Sequence, residues 1–100
     1  MSIEYFARVT ASTECMDKVL QALRSSDDYA VLPSNAPGRL RVRLQKHSKR
    51  EDWPEDIEIR FGDSIYVAFH ISEPHDREHL LKLLKETLSA CGCVVEFTEE

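Results

Sequence analysis

The sequence predicts an α+β fold, a two-layer sandwich in which two helices cover one face of a mainly antiparallel sheet. Two observations support this class. Six short segments alternate apolar with polar residues, as half-buried strands do, and two longer segments repeat apolar residues on one helical stripe. The 100 residues contain no repeat and no linker rich in glycine and serine, so we expect one domain over residues 1–100.

The first third of the chain predicts a strand, a helix and a second strand. Residues 3–10 alternate as a strand does, and Ser12 or Thr13 can cap the helix that follows. A short strand at residues 29–32 ends before Pro33. The apolar stripe of the helix consists of Met16, Val19, Leu20 and Leu23.

The middle of the chain predicts three strands. Residues 39–45 alternate strictly, with leucine and valine inward and three arginines outward. A polar stretch at residues 46–56 interrupts the pattern. Residues 57–61 and 65–71 then form a hairpin around a turn at Gly62 and Asp63.

A second helix and a final strand complete the order β-α-β-β-β-β-α-β. The helix begins near Pro74, which the first turn tolerates, and Gly92 is placed to cap its C-terminal end. Residues 93–98 form the last predicted strand. The apolar stripe of this helix consists of Leu80, Leu84, Leu88 and Cys91. This order resembles the ferredoxin-like βαββαβ plan with an extra hairpin, a plan that proteins of many functions share.

The net charge of −5 is distributed unevenly along the chain. Residues 1–50 carry nine lysines and arginines against five acids, and residues 51–100 carry four against thirteen. An acidic excess disfavours binding to a phosphate backbone and favours a basic partner. A second interpretation is that the basic run at 39–50 and the acidic run at 51–58 neutralise each other on a surface hairpin.

Cysteines and histidines give no strong sign of a metal or redox site. The chain has three cysteines, Cys15, Cys91 and Cys93. This is an odd number, and their spacing is not that of a disulfide framework, so we expect buried thiols in a reducing compartment. His75 and His79 are spaced to share a metal, but the helical pattern places them on a solvated face, away from Cys91. We therefore expect no metal and no cofactor.

The sequence contains none of the common catalytic motifs, so we do not expect an enzyme. It has no glycine-rich phosphate loop, no nucleophile elbow and no zinc-protease motif. No apolar stretch is long enough to span a membrane, and the first residues carry no basic region typical of a secretion signal. We expect a cytoplasmic protein with no membrane partner, and the oligomeric state stays open.

The polar segment around Trp53 is the leading candidate for a binding surface. This tryptophan either covers an edge of the core or forms a hot spot ringed by acids that steer a basic protein partner. The predicted partner-binding residues are Asp52, Trp53, Glu55, Asp56 and Glu58. The leading hypothesis is a small protein-binding module, in a concrete version an immunity or antitoxin-type protein that occludes a basic, nuclease-like toxin.

The alternative surface is the sheet face that the helices would leave open. RRM-type modules stack single-stranded RNA on aromatic residues of such a face. Residues 60–66 lack the corresponding sequence signature, and the acidic total also counts against nucleic acid. The candidate residues are Phe6, Arg8, Arg39, Arg41, Arg43, Tyr66 and His70. A third hypothesis is a ligand-sensing regulatory domain that dimerises through the edge of its sheet.

Overall fold

The computed structural model describes residues 2–47, 55–71 and 73–100. Its two helices and six strands follow the predicted order. The elements are β1 (Ile3–Ala7), α1 (Thr13–Ser25), β2 (Tyr29–Leu32), β3 (Arg39–Leu44), a short 3-10 helix (Gln45–His47), β4 (Ile57–Phe61), β5 (Ile65–Phe69), α2 (Pro74–Ala90) and β6 (Thr98–Glu99).

The strands form one antiparallel sheet in the order β2-β3-β4-β5-β1-β6. The chain passes from β5 through α2 to β6 with β1 lying between those two strands, which is the split βαβ arrangement of the ferredoxin-like plan. Before this, α1 carries the chain from β1 past β5, β4 and β3 to β2 at the far edge. In the ferredoxin-like plan the first helical connection passes one strand, whereas here it passes three. The two strands added to the plan account for this difference. The predicted two-layer α+β class is confirmed.

The core lies between the two helices and one face of the sheet. Val19 and Leu23 of α1 are fully buried against it, as are the leucines at every fourth position of α2. On the sheet, alternate residues point toward the helices, because successive side chains of a strand point to opposite faces. The buried strand residues on this inner face are Ala7, Tyr29, Val42, Leu44, Ile57, Ile59, Ile65, Val67 and Phe69.

The start of α1 and the end of α2 carry the capping residues that the sequence predicts. The Ser12 side chain accepts a hydrogen bond from the backbone N–H of Cys15 at 3.2 Å, which satisfies a free donor of the first turn. At the other end of the chain, Gly92 has a φ of 89°, and the N–H of Cys93 bonds back to the carbonyl of Leu88 at 2.9 Å. The glycine turns the chain out of α2.

Four predicted strands are shorter in the structure. The strands predicted at residues 39–45 and 65–71 end at Leu44 and Phe69, and the first and last strands differ more. β1 ends at Ala7, because the N–H of Val9 folds back onto the carbonyl of Ala7 at 2.9 Å. The last strand does not begin at residue 93. The chain leaves α2 in an irregular path and pairs with β1 only where Thr98 meets Phe6 and Glu99 meets Tyr5.

The expectation of free thiols is wrong for two of the three cysteines. Cys15, in the first turn of α1, is joined to Cys91, which follows α2, by a disulfide with a Cα–Cα distance of 5.9 Å. Cys93 is free and half-buried. The two bonded cysteines are 76 positions apart in the sequence, so a search for short motifs does not find this pair. Among the described residues, no helix is long and apolar enough to cross a membrane.

Candidate protein-binding face

The sheet face opposite the helices, here called the outer face, carries most of the candidate residues. Cross-strand register arranges its side chains in rows. Glu4, Ala68 and Glu58 form one row over β1, β5 and β4. The other outer-face residues of the central strands are Phe6, Arg39, Arg41, Arg43, Arg60 and Tyr66.

Three arginines and two carboxylates form ion pairs over β3 and β4. Arg39 Nη2 lies 2.6 Å from Glu58 Oε2 and 3.5 Å from Glu55 Oε1. Arg41 bonds to Glu55 Oε2 through Nε and Nη2, at 3.1 and 3.0 Å. Arg60 bonds to the other oxygen of Glu58. These contacts agree with the interpretation that the basic and acidic runs neutralise each other.

Glu58 is held as a carboxylate in this network. It is 7% exposed, and this burial raises its pKa. Hydrogen bonds from Arg39 and Arg60, together with their positive charges, outweigh the effect of burial and leave the pKa of Glu58 below its ordinary value. Glu58 therefore stabilises the ionised network from inside the face.

Asp56 is a structural residue. It is fully buried, and its Oδ2 accepts a hydrogen bond from the N–H of Leu44 at 2.8 Å and lies 2.9 Å from Nδ1 of His47. Its backbone carbonyl accepts from the N–H of His70 at 2.8 Å. One aspartate thus ties together the end of β3, the start of β4 and the end of β5.

Two acids of the predicted partner-binding segment, Asp56 and Glu58, are buried. Both are withdrawn from solvent because the sheet supplies their hydrogen-bond partners. Glu55 is half-buried, with 12% of its side chain exposed, and faces two arginines. Asp52 and Trp53 lie outside the described residues.

The residues of the alternative nucleic-acid surface are spread over and beyond the outer face. Phe6 and Tyr66 are half-buried cross-strand neighbours. Arg8 and His70 are exposed, just past the ends of β1 and β5. Arg43 lies opposite Ala30 of β2, next to the edge of the sheet. Arg39 and Arg41 are the residues already paired with carboxylates, so they offer less positive charge to a phosphate backbone than the sequence predicts.

A cavity of about 550 Å³ opens on the outer face above Ala68. Ala68 is 6% exposed and forms its floor, because its side chain ends at Cβ while longer side chains surround it. The Tyr66 hydroxyl hydrogen-bonds to Glu4, and this bond, with burial and the charges of Glu4 and Glu100, raises the pKa of Tyr66 to about 12. The side chains around the floor include Ser2, Glu4, Glu58, Arg60, Tyr66 and His70.

A second concavity, a groove of about 420 Å³, lies beside β6. Val94 is 87% exposed at this groove, which is unusual for a large apolar residue. The other residues that line it are Phe6, Arg8, Val9, Glu96 and Thr98. We call the neighbouring carboxylates, Glu4, Glu96, Glu99 and Glu100, the acidic edge.

The acidic edge keeps its negative charge. Within the described part of the chain, Glu96, Glu99 and Glu100 form no ion pair. Glu99 accepts a hydrogen bond from the Tyr5 hydroxyl at 2.9 Å, which leaves its charge in place. This surface was missed in the sequence because the three glutamates are scattered over the last five residues without a motif.

A third concavity, a cleft of about 190 Å³, lies between the start of α2 and the β2–β3 edge. His75 and His79 are exposed, as predicted for this helix face. His79 also contacts Asp28 at 3.3 Å, and the centroid of its ring, which is tilted against that of Tyr29, lies 6.1 Å from the Tyr29 centroid. Burial, reinforced by the charges of Asp28 and Asp76, raises the pKa of Tyr29. No group of three or more side chains suited to a metal ion occurs among the residues that the structure describes.

Comparison of the chain with protein-family models, with curated proteins and with solved structures finds no match.

Proposed function

We propose that the protein is a non-catalytic module that binds a basic partner protein, and that the acidic edge with the adjoining outer face makes the contact. One observation carries this proposal. Arg39, Arg41 and Arg60 are paired with Glu55 and Glu58, whereas within the described residues no ion pair engages the carboxylates of the acidic edge. The net charge of −5 means that some carboxylates have no positive counterpart. Part of this excess negative charge is exposed beside β6.

Exposed apolar surface next to this charge supports a protein partner. Val94 lines a groove together with Phe6 and Val9, and Glu96 also lines it. Protein interfaces combine apolar contacts that hold the complex with rim charges that steer the encounter. A partner with basic residues around an apolar anchor fits this combination.

The concrete version of the proposal is an immunity or antitoxin-type protein that covers the active site of a cationic nuclease. A nuclease needs a positive surface to hold its phosphate substrate, and an acidic protein can mask that surface. The contact is moved from the segment around Trp53 to the acidic edge and the adjoining outer face, since Asp56 is fully buried and bonded within the fold.

The test is affinity capture from a lysate of the source cells at low ionic strength, followed by cross-linking and mass spectrometry. We expect the wild-type protein to retain a basic protein that high salt releases and that cross-links near β6. The double variant Glu96→Lys, Glu100→Lys should lose this protein. A matched double variant with reversed charge on α1, Glu14→Lys and Asp17→Lys, controls for the change in net charge, and we expect it to retain the partner.

Other outcomes separate the remaining hypotheses. Loss of the partner in Asp52→Lys, Trp53→Ala, with retention in the edge variant, would return the binding surface to the segment predicted from the sequence. The RNA-binding hypothesis predicts that the protein retains RNA and that ribonuclease treatment removes it. It also predicts that Phe6→Ala and Tyr66→Ala retain less RNA than the wild type. A homodimer that releases a small molecule on denaturation would favour the ligand-sensing hypothesis.

A further inference from the structure

The cavity on the outer face is built by an alanine between two glutamates. In the antiparallel register, Ala68 of β5 lies directly opposite Glu4 on one side and Glu58 on the other. Neighbouring strands are about 4.8 Å apart, so the strands that carry the two carboxylates are separated by about 10 Å. Because the central side chain is only a methyl group, the space between the two glutamates stays open.

The charges around this space favour a cation. Glu4, Glu58 and Asp63 line it, against Arg60 as the one arginine or lysine among its described lining residues. Arg39 adds a second positive charge, but it is directed at Glu58 from the β3 side. The cavity therefore keeps a net negative lining although guanidinium groups surround one of its carboxylates.

The carboxylates of the cavity accept hydrogen bonds, and the Tyr66 phenol donates to one of them. The Tyr66 phenol bonds to Glu4 and stays protonated up to high pH, since its pKa is raised to about 12. Glu58 stays ionised, because its two arginine contacts keep its pKa low. Carboxylates on two sides and an aromatic ring on a third form the kind of environment in which proteins hold guanidinium groups.

We propose that this cavity receives an arginine side chain of a basic partner, with its guanidinium group between Glu4 and Glu58. This inference rests on the proposed function, because it assumes that the partner docks on the acidic edge and the outer face. Arginine suits the site better than lysine, since a planar guanidinium group can bond to carboxylates on both sides and lie against the Tyr66 ring. Among the described residues that line the cavity, none belongs to a helix.

The experiment uses a nona-arginine peptide as the probe and an uncharged nona-citrulline peptide as its control, titrated into the full chain by calorimetry and NMR. Wild-type protein should bind nona-arginine at low ionic strength, shift the Ala68 methyl resonance and ignore nona-citrulline. Ala68→Leu, which fills the cavity without changing charge, should weaken binding about tenfold. The matched control is Ala30→Leu, on the same face at β2, which should leave affinity unchanged.

A second variant guards against misfolding of Ala68→Leu. Glu4→Gln keeps the size of the side chain, and it should also weaken binding about tenfold while the amide spectrum stays dispersed. Equal affinity of Ala68→Leu, Glu4→Gln and wild type would overturn the cavity assignment. If the edge variant Glu96→Lys, Glu100→Lys still weakened binding in that case, the proposed function would survive the loss of this inference.

A further comparison tests the chemical class of the occupant. We expect nona-lysine to bind more weakly than nona-arginine and to shift the Ala68 methyl resonance less. Preferential binding of a uridine dodecamer to the same residues would contradict both the arginine occupant and a basic protein partner, and would favour RNA.

Discussion

Asp56 accepts a hydrogen bond from the backbone N–H of Leu44 at 2.8 Å, although its side chain is completely buried. A buried carboxylate is stable only when it is hydrogen-bonded or paired, and here a backbone donor and the His47 ring meet this need. Asp56, the last residue of the polar segment after β3, therefore stabilises the fold and does not contact solvent.

We predict that Asp56→Ala lowers the free energy of unfolding by about 3 kcal/mol, because it leaves the Leu44 donor buried without a partner and opens a gap. Urea denaturation measures this loss. Asp63→Ala, in the exposed turn of the β4–β5 hairpin, is the control and should change stability by less than about 0.5 kcal/mol. Similar losses in the two variants would contradict the structural role of Asp56.

The disulfide between Cys15 and Cys91 should contribute strongly to stability, because it closes a long loop between α1 and the end of α2. The chain-entropy model predicts that the Cys15→Ser, Cys91→Ser double variant loses about 4 kcal/mol. Cys93→Ser, which removes the free thiol, should cost much less. Alkylation of the denatured, unreduced protein should modify one cysteine; modification of all three would show that the bond does not form.

Gly38 is required where the chain enters β3. It has a φ of 73°, and a Cβ atom there would come within 2.8 Å of the carbonyl oxygen of Phe61. We predict that Gly38→Ala destabilises the protein by about 1–3 kcal/mol, because both the backbone conformation and the close approach to β4 are lost. Gly62→Ala meets no atom within 4 Å and should change stability little. Thermal denaturation of the two variants provides the comparison.

The hydrogen bond between Tyr66 and Glu4 predicts a late alkaline titration. Absorbance at the phenolate band should show Tyr66 ionising near pH 12, and Glu4→Gln should bring its pKa back toward 10. Because the pKa of Tyr66 is higher in the folded than in the unfolded state, protonated Tyr66 stabilises the fold. This contribution is complete below pH 10 and is lost as the pH rises toward 12. A Tyr66→Phe variant identifies the signal, and an unchanged titration in Glu4→Gln would show that the bond is absent.

Most of the fold follows from local patterns. The alternation at residues 57–61 and 65–71 predicts both the hairpin and its buried face, since a half-buried strand requires a period of two, although the second strand ends at Phe69. The last strand was predicted too long because residues 93–97 alternate without pairing. Val95 is buried against the core while its backbone stays irregular, so its side chain satisfies the pattern without a strand.

The candidate site was less predictable than the fold. The sequence shows that Glu58 is an acid, but it does not show which arginines it contacts. The contact with Arg39 depends on how β3 and β4 pair, and Arg60 bonds to the same carboxylate. A shift of one residue in that register would turn every side chain to the opposite face. The acidic edge likewise exists because β6 lies beside β1, an adjacency that no local pattern encodes.

The sequence by itself determined the two helical stripes, the alternating strands and the division of charge between the halves of the chain, because these depend on spacings of a few residues. The tertiary structure decided which charges neutralise each other, which cysteines bond and where an open cavity lies between Glu4 and Glu58. These features join residues distant in sequence, and their energies depend on the distance and the solvent between the groups.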